Sequence, residues 1–69
     1  MFKVKFENVG RGKRAWEAVC PHEIDFAWLY TEVTRNGGLL SRDISFTENG
    51  LVFAGFREVG TFKIIAGSG

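Results

Sequence analysis

The 69-residue sequence predicts a small α+β domain, ordered β-β-α-β-β-β, in which one helix packs across one face of a mostly antiparallel sheet. Three features point there. Apolar and polar residues alternate with a period of two along several stretches. Glycine-bearing turns separate those stretches. A single proline-led segment carries the charge order of a helix.

Phe2, Val4 and Phe6 alternate with Lys3, Lys5 and Glu7, as expected of a half-buried strand with one wet face. Residues 8–13, with Gly10 and Gly12, read as a turn. A second strand then runs from Arg14 to Cys20, with Trp16, Ala18 and Cys20 on one face and Ala15, Glu17 and Val19 on the other. Pro21 suits the first helical position. Glu23 and Asp25 complement the positive end of a helix, and Arg35 the negative end. Asn36-Gly37-Gly38 supplies a stop, so a helix is expected over residues 21–35. Residues 43–48 form the third strand, and Asn49-Gly50 suggests a two-residue type I′ hairpin. That register sets Phe46 opposite Phe53 and Ile44 opposite Gly55. The fourth strand covers 51–57, residues 58–60 turn, and 61–65 form the last strand. Residues 66–69 are expected to fray. Strand order within the sheet is left open.

Length allows one domain, residues 1–69, with a marginal core. One cysteine rules out a bridge within the chain. One cysteine and one histidine fall short of a zinc site, and no cofactor motif is present. A second subunit is the remaining support, so a homodimer is expected. A composition of 45% hydrophobic and 25% charged residues suits a folded domain rather than a disordered tail. No apolar run is long enough for a membrane span. The N-terminal alternation is unlike a signal peptide, and an unpaired cysteine fits the reducing cytoplasm.

Apolar residues exceed what one core needs. On a helical wheel, Phe26, Leu29, Tyr30 and Val33 share a stripe assigned to the core. Ile24 and Trp28 fall nearly opposite. A second apolar stripe is unusual for a surface helix, so Ile24, Trp28, Glu32 and Arg35 are a candidate partner-binding face, with Trp28 as its anchor. The competing rotation packs Trp28 on the sheet and turns Tyr30 outward. Val52, Ala54 and Phe56 would line the sheet face away from the helix, which should be polar if uncovered. A second copy, another protein, or closure into a small barrel would cover it.

The charges are unevenly placed. Residues 1–14 hold five cations against Glu7, a balance of +4, and residues 15–69 sum to −3. Gly10-Arg11-Gly12-Lys13-Arg14 lacks the glycine spacing, hydroxyl and following helix of a nucleotide phosphate loop. A looser reading has Lys3, Lys5, Arg11, Lys13 and Arg14 as contacts to nucleic-acid phosphates, set against a merely solvated basic hairpin that discourages edge pairing. Cys20 and His22 flank Pro21 without an identifiable orienting group. No carboxylate pair suggests acid–base chemistry, and a catalytic role is not expected.

The leading expectation is a stand-alone protein-binding module, acting as a regulator or inhibitor by occupying a surface of a larger partner. Chains of this size include accessory proteins of phages and mobile elements that block host defences, an analogy of size alone. The alternatives are a nucleic-acid binder using the hairpin 10–14 and a self-assembling structural subunit.

Overall fold

The alternation in the first twenty residues yields the hairpin it predicts. In the computed structural model, which describes residues 1–40 and 42–67, β1 (Phe2–Val9) pairs antiparallel with β2 (Arg14–Cys20). Phe2 lies opposite Cys20, Val4 opposite Ala18 and Phe6 opposite Trp16. These six residues share one face. Lys3, Lys5 and Glu17 lie on the other, where Lys3 and Glu17 form an ion pair at 3.1 Å.

The helix starts later than the proline suggests. α1 spans Phe26–Arg35, capped by Asp25 in an extended conformation. The Asp25 carboxylate accepts the Trp28 amide hydrogen at 2.8 Å, satisfying a donor that the first helical turn leaves open. Pro21, His22 and Glu23 form a bend instead. The end comes where expected, at Arg35, and the Leu39 amide donates to the Val33 carbonyl at 3.2 Å.

The helix is also rolled relative to the sequence-based wheel. Leu29 and Val33 are buried as expected, but Ile24 and Trp28 pack against the core alongside Tyr30. Phe26, assigned to the core stripe, is 56% exposed; its ring stacks on Tyr30 and meets Phe46 edge-on. The reason lies in the sheet beneath. Phe6 stacks on Trp16 with ring centres 4.7 Å apart and reaches Trp28 at 6.0 Å, so the aromatic ground is under the Trp28 side of the helix. Trp16 Nε1–H then donates to Glu32 Oε1 at 3.3 Å, and Asn36 Nδ2 donates to the same oxygen at 3.1 Å.

Three strands follow: β3 (Ile44–Phe46), β4 (Leu51–Ala54) and β5 (Arg57–Gly67). The β3–β4 register differs from the expectation by one residue. Ile44 faces Ala54, Ser45 faces Phe53 and Phe46 faces Val52. Residues 48–50 form a three-residue loop: the Gly50 amide donates to the Thr47 carbonyl, and Gly50 takes a left-handed φ of 84°. A type I turn followed by a left-handed glycine is the usual three-residue alternative to the type I′ hairpin. The slip reverses every side chain of β4. Val52 is fully buried in the core beneath the helix, and Ala54 shares its face, so neither belongs to the far face of the sheet. The second hairpin also turns earlier than expected, at Gly55-Phe56, with Ala54 opposite Arg57. Gly55 has a φ of 66° in the first central position, the requirement of a type II′ turn. Phe56 is therefore a turn residue, and residues 58–60 belong to β5. Ala66 and Gly67 pair with Lys3 and Phe2 rather than fraying; residues 68 and 69 lie outside the described residues.

The strands form one antiparallel sheet in the order β2-β1-β5-β4-β3. β2 and β3 are its two edges, so the connection through α1 passes from one edge to the other across the sheet face. Val4, Phe6, Val9, Leu29, Val33, Leu39, Ile44 and Val52 form the core between the layers. Val9 sits where the helix end comes close to the sheet. A Cβ on Gly37 would fall 2.5 Å from Val9 Cγ1 and 2.6 Å from the Val33 carbonyl oxygen. Only a glycine lets the helix end approach β1 so closely.

Candidate anion-binding groove

The antiparallel order brings two turns to the same end of the sheet. β1 ends where β5 begins, so the β1–β2 turn and the β4–β5 turn project side by side. A backbone hydrogen bond from the Gly10 amide to the Val59 carbonyl, 2.9 Å, ties them. Residues 37–40, which follow the helix, close the third side. Between these three segments lies a concavity of about 1030 Å³.

Its charge is predominantly positive. Arg11, Lys13 and Arg14 reach it from the first turn and Arg57 from the second, whereas Glu58 is the one acid among the described lining residues. Arg14 is partly committed to structure: its Nη1 donates to the Asn36 carbonyl at 3.2 Å, at the negative end of the helix. Arg11, Lys13 and Arg57 make no ion pair or side-chain hydrogen bond among the described residues. The walls are rich in glycine, with Gly10, Gly12, Gly37, Gly38 and Gly60 all contributing, so a ligand meets backbone as well as side chains. Lys13 has a left-handed φ of 47°, a conformation that is uncommon for a residue with a Cβ.

The expected basic hairpin is thus divided. Arg11, Lys13 and Arg14 are brought together, but Lys3 and Lys5 lie on the sheet face and pair with Glu17 and Glu7 at 3.1 and 3.7 Å. Arg57 joins the cations although no local motif marks it. It arrives only because β4 and β5 turn at Gly55-Phe56.

The expected partner face on the helix does not assemble. Ile24 and Trp28 are packed against the core, Glu32 accepts two hydrogen bonds within the fold, and Arg35 alone of the four is exposed. Of the other candidate face, Val52 is internal and Phe56 stands fully in solvent at the turn.

Cys20 is buried with its Sγ 3.4 Å from His22 Nδ1. That nitrogen also lies 2.7 Å from the Glu23 carbonyl. A carbonyl only accepts, so this bond places the proton on Nδ1, which then has no lone pair with which to take the thiol proton. Among the described residues no group of three or more His, Cys, Asp or Glu side chains is placed to hold a metal ion. No helix among them is long and apolar enough to cross a membrane.

No protein-family model matches the chain, and no curated protein or solved structure matches it.

Proposed function

We propose that the protein is a binding module for an anionic chain, and that the groove between its two hairpin turns takes the phosphate backbone of a nucleic acid. The observation that carries this reading is the convergence of Arg11, Lys13 and Arg57 from two separate turns onto one glycine-walled groove. None of the three is engaged by another side chain among the described residues. A phosphate chain supplies regularly spaced charges for such a set, and glycine walls allow close approach.

The test is binding of a fluorescent oligonucleotide as salt is varied. Neutralising about three phosphates gives a slope of roughly −2 in log affinity against log salt. Joint reversal of Lys13 and Arg57 to glutamate should abolish binding. A salt-independent affinity, or one unchanged by the double reversal, would sink the reading.

A protein partner or a second copy is the other reading, and exposed apolar residues support it. Met1, Val19, Ile64 and Ile65 are exposed at the end of the sheet opposite the groove, and Met1 and Val19 border a hollow of about 330 Å³. Ile64 and Ile65 are neighbours in β5, whereas Val19 pairs with Lys3 on the face away from that of Ile64; exposed apolar area of this kind favours association. Light scattering across a concentration series, with Ile64→Lys as the control, separates this reading from a strict monomer.

A further inference from the structure

The geometry points to single-stranded nucleic acid as the ligand, with Phe56 as the platform on which an unpaired base stacks; this rests on the groove's binding a phosphate backbone. Phe56 is 104% exposed. The other exposed phenylalanine, Phe26, already stacks on Tyr30. Phe56 makes no ring contact among the described residues. An aromatic residue in full solvent on a tight turn contributes nothing to the core.

Its position gives it a use. Phe56 occupies the second central position of the Gly55-Phe56 turn, and the two residues that frame this turn, Ala54 and Arg57, both line the groove. A two-residue turn leaves the backbone little freedom, and the Gly55 amide donates to the Asp43 carbonyl at 2.7 Å, which anchors the turn to the segment before β3. The turn that carries Phe56 is therefore held beside the groove rather than on a loose loop; Phe56 itself stands in solvent between two groove-lining residues. No heavy atom lies within 4 Å of where a Cβ on Gly55 would stand, so the approach on that side is open.

A base stacked on Phe56 brings its own phosphate toward Arg57, the neighbouring residue. The strand then continues along the groove toward Arg11 and Lys13. Alternating cation and ring contacts are how proteins hold single strands without reading sequence. A duplex keeps its bases stacked on one another, so it offers Phe56 no face and engages the cations alone. An acidic peptide likewise gains nothing from the ring.

Fluorescence anisotropy with a labelled oligothymidylate of about 12 nucleotides and a duplex of equal length decides the matter, with polyglutamate as competitor. Phe56→Ala should weaken oligothymidylate binding about tenfold and leave duplex binding unchanged, while Phe56→Trp should restore the single-strand affinity. Equal loss on both probes, or loss on neither, would overturn the stacking role while leaving the groove in place. Binding of neither probe by the wild type would instead remove the groove reading itself. Competition by polyglutamate at equal charge, as effective as unlabelled oligothymidylate, would assign the groove to acidic protein segments. Circular dichroism should show all Phe56 variants folded, because the side chain touches nothing that holds the sheet.

Discussion

Lys13 and Gly37 show opposite relations between a residue and its backbone. Lys13 holds a left-handed conformation that a side chain disfavours, yet it contributes a cation to the groove. Lys13→Gly should raise stability by about 0.5–1 kcal/mol, the relief of strain less the added freedom of the unfolded chain, and weaken oligonucleotide binding. Urea denaturation beside anisotropy would test the pairing; a variant that loses stability would mean the turn does not favour glycine there. Gly37 has the reverse constraint. Gly37→Ala would set a methyl into Val9 and the Val33 carbonyl and should cost about 1–3 kcal/mol. Asp25→Ala removes the helix cap and should cost about 1 kcal/mol.

The strands and helix show where the sequence could be read and where it could not. β1 and β2 follow directly from alternation, since Phe2, Val4 and Phe6 are separated by charges that cannot be buried unpaired. The helix end was legible because Asn36-Gly37-Gly38 permits little else. Its start was not: Pro21 and Glu23 imitate a helix opening, and the effective signal was Asp25, whose side chain reaches the amide three residues on. Asn49-Gly50 marked a turn correctly but not its length, and one residue of length decides which face of β4 is buried. The apolar run Val52-Phe53-Ala54-Gly55-Phe56 concealed the second turn, because a type II′ turn asks only for a glycine in its first position. Arg57 was consequently missed as a groove residue. Hydrogen exchange should rank the strands by place in the sheet, with central β1 and β5 slowest and the three-residue edge β3 fastest. Equal protection in β3 and β1 would contradict a sheet with β3 at its edge and β1 inside.

Phe6 organises the molecule as a whole. It is fully buried and meets Trp16, Trp28 and Phe62, so hairpin, helix and β5 are joined through one ring. A domain of this size has a stability of about 3–10 kcal/mol, and emptying such a site costs about 3–5 kcal/mol. Phe6→Ala should therefore abolish or nearly abolish the cooperative unfolding transition, whereas Phe6→Leu should retain it at a lower denaturant midpoint. A Phe6→Ala variant with a near wild-type midpoint would show that the two layers are held elsewhere.

The pairing of Phe2 with Gly67 has a practical bearing. Both residues lie at the strand ends remote from the two turns, so Met1 and Gly67 sit at the far pole from Arg11, Lys13 and Phe56. A dye or a solid support joined through a cysteine substituted for Lys3 or Ala66, which pair at this same pole, leaves the glycine-walled mouth pointing outward, and an immobilised sample should present the same ligand access whichever of the two attachments is used.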